Sequence, residues 1–223
     1  MFSDTAYPRL SKNRNLTLIT GNSYKSFNVY KKKGPLVKEW MDATLLTIQR
    51  AIEQYPRLTA MRFDLRFPDY LPYLDDAFTN RVLQRFVESL KAKIEHDRYM
   101  SEKKNGSSHK TKIRYTWCRE YGDFGKPHYH FNLLLNSNAY RSLGWMESDE
   151  DNMAKRITAA WCSALGISYD AGVGLVYFPN NAVYYIGDDP ARLAKYVYRA
   201  SYLCKVNTKH FGNGMHAFGH SRV

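Results

Sequence analysis

The chain has 223 residues, 44% hydrophobic and 24% charged, enough for one domain that buries roughly 70% of its unfolded surface. Mean hydropathy is -0.55, no apolar run is long enough for a transmembrane helix, and MFSDTAYPRL lacks the basic-then-apolar order of a signal peptide. The net charge of +12 is concentrated at the two ends of the chain, which suits a polyanion such as nucleic acid better than general solubility would, and no membrane partner is expected. The three cysteines, Cys118, Cys162 and Cys204, form no CxxC pair, so a soluble cytoplasmic protein with reduced thiols is expected.

Residues 1–34 hold seven Lys and Arg against Asp4. They show no sustained period and read as a loose basic arm with at most short strands, in which Lys31, Lys32 and Lys33 are DNA-binding candidates. Gly34-Pro35 opens a helix with Leu36, Trp40, Leu45, Ile48 and Ile52 near helical spacing, and Pro56 stops it. Met61 to Phe67 alternates strictly, predicting a half-buried strand whose polar face carries Arg62, Asp64 and Arg66. Beyond a loop bracketed by Pro68 and Pro72, a helix from about Asp76 to Arg98 aligns Phe78, Val82, Phe86 and Leu90. Residues 103–110 read as a polar loop tip. Ile113 to Glu120 and His128 to Leu135 predict a hairpin around Gly122-Asp123-Phe124-Gly125. Ser148 with Asp149 to Asp151 opens a helix through Trp161, which Gly166 ends. Val173 to Phe178 and Val183 to Ile186 read as short strands. Asp188-Asp189-Pro190 starts a last helix running to about Lys205, where Lys195 and Arg199 are further DNA-binding candidates. A Gly- and His-rich tail follows over residues 206–223. This order predicts an α+β fold, a mostly antiparallel central sheet of about five strands with helices.

The hairpin carries the first half of the chemistry. His128 and His130 are two apart on one strand and project from one face. Pairing centred on Phe124 puts Glu120 across from His128, so the three side chains converge, opposed Cβ atoms lying about 5 Å apart. Ile113, Tyr115, Trp117, Tyr129, Phe131, Leu133 and Leu135 take the opposite, core face. Two imidazoles and a carboxylate make an incomplete ligand shell, with room for water or a phosphate oxygen, as a catalytic ion requires. Asp64 is a supporting candidate for that shell, set against a solvated or salt-bridged carboxylate. Asn132 is one for phosphate, set against a local hydrogen bond. Cys118 is expected as a small buried hydrophobe, and His210, His216 and His220 as exposed.

The last helix carries the second half. Tyr198, Tyr202 and Lys205 fall at i, i+4 and i+7 and share one face. A phenol beside an ammonium suits a nucleophile, because the positive charge favours phenolate and steadies a phosphate. An ion that polarises a phosphodiester, tyrosines that attack it and basic ends that hold DNA describe one reaction. It is transesterification through a covalent 5′-phosphotyrosine that releases a 3′-OH. No GxxxxGK[ST] loop occurs, so no nucleotide cofactor is expected, and any helicase comes from elsewhere, such as the host.

At these residues the chain resembles a known superfamily. Lys126-Pro-His-Tyr-His-Phe-Asn-Leu-Leu-Leu135 is similar to the histidine–hydrophobe–histidine motif of HUH endonucleases, with Tyr129 in the middle place. Tyr198-x3-Tyr202-x2-Lys205 resembles the two-tyrosine motif of rolling-circle replication initiators, and Met61 to Pro68 resembles the superfamily's first strand. The likeness extends to the inovirus-type replication endonucleases of phages and prophages, the YagK/YfjJ-like group, in which a C-terminal Phe-Gly-x-Ser-Arg, here Phe218 to Arg222, also appears. The resemblance spans about Arg62 to Arg222. It implies an HUH-endonuclease-like fold over residues 35–205, Mg²⁺ or Mn²⁺ at the histidines, and nicking of one strand at an origin. Relatives in this group often carry Lys at the position of Ser201. Here only Tyr202 keeps a lysine three residues on, which ranks Tyr202 as first nucleophile and Tyr198 as second.

The expected function is metal-dependent, sequence-specific nicking and joining of single-stranded DNA, starting rolling-circle replication of a phage, prophage or plasmid. Transposases and relaxases share this chemistry, although relaxases usually show a third histidine in the cluster. Two rivals would form no protein–DNA adduct: a DNA-binding repressor that keeps the fold, and a metal hydrolase that needs no tyrosine.

Overall fold

Strand alternation decides the architecture, because it gives each central strand two distinct faces. A computed structural model describes residues 7–69, 79–122 and 125–222. In chain order they form β1 (Arg9–Leu10), β2 (Asn13–Ile19), β3 (Ser23–Tyr24), β4 (Phe27–Asn28), β5 (Leu36–Val37), α1 (Lys38–Gln54), β6 (Leu58–Arg66) and α2 (Arg81–Asn105). There follow β7 (Arg114–Tyr121), β8 (Pro127–Asn136), α3 (Met153–Leu165), α4 (Tyr169–Gly172), β9 (Val176–Tyr177), β10 (Val183–Ile186), α5 (Pro190–Ser201), a 3₁₀ turn (Tyr202–Cys204) and β11 (Phe218–His220). The fold is α+β. Its central sheet has six strands in the order β10-β6-β8-β7-β11, with β9 also on β6, and every pairing is antiparallel.

The odd-numbered side chains of β6 and β8, among them Met61, Phe63, Phe131 and Leu133, pack with Val82, Phe86 and Leu90 of α2 and with Ile157 and Trp161 of α3. On the even face Ala60, Leu134 and Cys118 pack with Met41 and Ile48 of α1 and with Val197 and Ala200 of α5. Helices therefore cover both faces, and β6 is not half-buried as its alternation predicts. Arg62 is 4% exposed and Asp64 8%, because α1 and α5 close over them and their charges are paired inside. Only Arg66 of that face is exposed.

The basic N-terminal segment is likewise no loose arm. β1, β2 and β5 form a three-stranded sheet and β3–β4 a hairpin. Leu10, Ile19, Tyr24 and Val29, spaced too irregularly to show a period, are buried. α1 begins at Lys38, since Leu36 and Val37 pair with Ile19 and Leu18. Its buried side chains are Met41, Thr44, Thr47, Ile48 and Ala51. The two threonine hydroxyls are satisfied by the carbonyls of Trp40 and Ala43, each at 2.8 Å.

α2 outruns its expected end and stops at Gly106, which takes a left-handed φ of 74°. Its expected start at Asp76 with Phe78, the loop residue Pro72, and Asp123 and Phe124 of the hairpin turn lie outside the described residues. α3 is capped by Asn152 and ended by Gly166. Asp189 caps α5, with Pro190 in its first turn. The tail is not a free appendage, because β11 pairs with β7. Gly219 lets it approach: a Cβ there would lie 2.6 Å from the Trp117 ring. Among the described residues, no helix is long and apolar enough to cross a membrane.

Candidate functional site

The hairpin register is the one the alternation predicts. Glu120 pairs with His128 and Cys118 with His130 across β7 and β8, while Asp64 on β6 flanks His130 from the other side. One ligand atom from each of Glu120, His128 and His130 lies within 4.8 Å of the others. The ionised Asp64 carboxylate accepts from His130 Nδ1 at 2.7 Å, and Nε2, which a metal would take by displacing its proton, lies 3.3 Å from Glu120 Oε2. Carboxylates hold metal-binding imidazoles in this way. Asp64 is thus both salt-bridged, to Arg62, and a support for the histidine.

Electrostatics prepare these donors. Burial raises the Asp64 carboxyl, but the His130 hydrogen bond and the Arg62 charge outweigh it and leave it at about 2. Burial opposes ionisation of Glu120 too, yet the His130 hydrogen bond and the Lys209 and Lys205 ammoniums hold it well below the carboxylate range. His128 is pushed down to about 4, first by burial and then by His130, so its imidazole is neutral at pH 7 and available as a ligand. Two nitrogens and one carboxylate oxygen fit a divalent ion, and three protein ligands leave coordination positions open. The Glu120 oxygens are also engaged: Lys205 Nζ and Thr208 Oγ1 each lie 2.6 Å from Oε2, and Lys209 Nζ lies on Oε1. With the Cys118 thiol 3.6 Å from Oε1, these bonds take up the roughly four lone-pair sites of the carboxylate, so a bound metal would displace at least one of them.

α5 delivers one tyrosine to this cluster. The helix stops at Ser201, and Lys205 after the 3₁₀ turn is extended, with ψ 145°. The continuous face expected for Tyr198, Tyr202 and Lys205 is therefore broken. The turn swings Tyr202 inward, its ring centroid 5.4 Å from that of His130, while Tyr198 stays exposed and packs edge-on against Tyr30. Lys205 is buried, with Nζ 4.3 Å from the Tyr202 ring centroid. Its ammonium therefore faces the ring while also bonding Glu120. Contrary to expectation, the Tyr202 phenol is pushed up, by burial and then by the Glu120 charge.

A cleft of about 1070 Å³ is lined by Glu120, His128, His130, Asp64 and Tyr202, with Lys33 on its wall. Lys31, Lys32 and Lys195 are exposed outside that wall, and Arg199 is half-buried. Asn132 lies deeper, donating to Thr116 Oγ1 at 3.2 Å; this is the local hydrogen bond. Cys118 is fully buried and its thiol is pushed up to about 11 by burial, as a small core residue. His210 and His216 are exposed and His220 half-buried. Sequence reasoning missed Lys209, Thr208 and Tyr30. No local period marks them, although Tyr30 and the paired lysines belong to the two basic segments.

The YagK/YfjJ C-terminal domain family matches residues 19–221. The uncharacterized protein YagK of Escherichia coli (strain K12) is 38% identical over 179 residues, covering 76% of this chain and 86% of that protein. The uncharacterized protein YfjJ of the same organism is 32% identical over 201 residues, covering 85% and 96%. No solved structure matches the chain. By the family match and both relatives, the chain belongs to the YagK/YfjJ C-terminal domain family.

Proposed function

We propose that the chain is an HUH-like, metal-dependent enzyme that nicks and rejoins single-stranded DNA at an origin and so initiates rolling-circle replication of a phage, prophage or plasmid. The carrying observation is the placement of the Tyr202 ring 5.4 Å from that of His130, on the cleft that also holds Glu120 and His128. Glu120, His128 and His130 would hold Mg²⁺ or Mn²⁺, which supplies a Lewis acid for a non-bridging phosphate oxygen. Tyr202 Oη bonds to phosphorus, the bond from phosphorus to O3′ breaks, and the phenol proton ends on the released 3′-OH. The reverse step rejoins the strand, since the phosphotyrosine conserves the bond energy. Lys33 on the cleft wall would steady the phosphate, and the exposed Lys31 and Lys32 would hold the flanking strand. Tyr198, at the surface, would serve as the second acceptor.

Incubation with Mn²⁺ and labelled single-stranded DNA from the chain's genomic neighbourhood tests this. A protein–DNA adduct on a denaturing gel, abolished by EDTA and by Tyr202→Phe, supports it; cut ends without adduct support a hydrolase. One observation favours a second reading, a non-catalytic DNA-binding protein: both Glu120 oxygens already accept from lysines. Origin-specific binding without cutting would establish that reading.

A further inference from the structure

The Phe218–Arg222 motif has no part in the cleft, and its last residue closes a different site. Ser221 N–H donates to the Tyr115 carbonyl at 2.9 Å, and Tyr115 N–H donates to Ser221 Oγ at 3.1 Å. These bonds fix Arg222 beside the start of β7. There Arg50, Arg114 and Arg222 line a depression of about 500 Å³ with Glu53 and Gln54. Arg50 Nη1 donates to the Arg222 carbonyl at 3.0 Å, and Arg114 Nη2 to Gln54 Oε1 at 2.9 Å. Both partners are neutral oxygens. Arg114 Nε is buried with no hydrogen-bond partner, and Glu53 Oε1 accepts from Gln49.

Three arginines thus line one depression with a single carboxylate: the Arg50 and Arg114 guanidiniums are tied to neutral oxygens, and Arg222 is placed there by its backbone. The C-terminal end of α1 offsets only about half a charge, so the depression stays cationic. Guanidinium forks match phosphate oxygens in geometry. Arg114 and Glu120 share β7 and its even-numbered face, six residues and about 20 Å apart.

We infer that Arg50, Arg114 and Arg222 form a phosphate-binding subsite for the DNA backbone flanking the cleaved position. The inference rests on the DNA activity proposed above. Its test is binding of labelled DNA, long enough to span both sites, to protein carrying Tyr202→Phe so that the strand stays intact. The triple change Arg50→Gln, Arg114→Gln, Arg222→Gln should lower the slope of log K against log salt by about 2 on single-stranded DNA and weaken binding about tenfold or more, equally on scrambled DNA. The corresponding triple Lys variant should keep the slope. If the triple Gln variant fails to fold by circular dichroism, Arg222→Gln alone, which leaves the carbonyl in place, should lower the slope by about 1.

Unchanged slopes in folded Gln variants would overturn the inference, as would a wild-type protein that binds no DNA. Inorganic phosphate alone provides a second arm. Thermal stabilisation by phosphate that the triple variant loses, with DNA binding unaltered, would mark a free-phosphate site and overturn the DNA assignment. Nicking with an unchanged slope sinks only the subsite, whereas a lowered slope without nicking sinks only the enzymatic reading.

Discussion

Tyr202 is held as a phenol, pushed up by burial and by the negative Glu120, so attack on phosphorus requires removing a proton that the resting site retains. The nicking rate under single-turnover conditions should therefore climb with pH through 7 to 9 without the plateau of a lowered phenol pKa. A plateau near neutrality would assign the proton transfer to another group. Glu120 is also the shared carboxylate partner of two ammoniums whose side chains are 1% and 0% exposed. Glu120→Gln strands both, and urea unfolding should register a loss on the order of 3–5 kcal/mol. A change under 1 kcal/mol would mean that water reaches the lysines. Acid should act through the same residues. His128, pushed down to about 4, takes its proton less readily folded than unfolded. Its contribution to stability is therefore full above about pH 6.5 and fades as pH falls toward 4. Asp64, at about 2, and Glu120, lower still, extend the loss below pH 4. Urea midpoints measured in EDTA should fall over this window; a flat profile would contradict the burial assigned to His128.

At the scale of elements, α5 and the N-terminal segment are joined through Ser201, which is fully buried. Its hydroxyl accepts from Tyr30 N–H at 2.9 Å and donates to the Tyr198 carbonyl at 2.8 Å. Ser201→Ala leaves a Tyr30 donor unpaired, at a cost of about 1–3 kcal/mol, and should raise hydrogen exchange across residues 27–30; unaltered exchange would show that the docking does not depend on Ser201. The pairing of Glu120 with His128 was legible because a strand has period two and a short hairpin is symmetric about its turn. The Tyr202 placement was legible only in part. Helical spacing brought Tyr198, Tyr202 and Lys205 together, whereas the 3₁₀ turn at Tyr202–Cys204 separates them, and no proline or glycine announces it. Lys209 reaches Glu120 across 89 positions from a segment with no period. Burial of Arg62 and Asp64 followed from a second helical layer, which the strand's own alternation does not encode.

Across the whole molecule, the two basic ends of the sequence become neighbours. Val206 N–H donates to the Pro35 carbonyl at 3.0 Å, Leu36 bridges to Lys205, and the Tyr30 ring lies 5.1 Å from that of Tyr202. Of the basic side chains of these two ends, Lys33 lines the cleft, where it would attract a polyanion. Replacing the exposed Lys31 and Lys32 with Gln should lower the DNA salt slope by up to about 1.5 and slow association, leaving the nicking rate of the bound complex within about twofold. A large fall in that bound rate would place these lysines in the chemistry instead. The central claim, attack by Tyr202 beside a histidine-held ion, is tested most directly by digesting the DNA adduct and locating the nucleotidyl group by mass spectrometry. The expected result is a nucleotide on Tyr202, formed with Mn²⁺ and absent after His130→Ala. A nucleotide on Tyr198 with none on Tyr202, or no adduct with DNA shown to contain the origin, would contradict it.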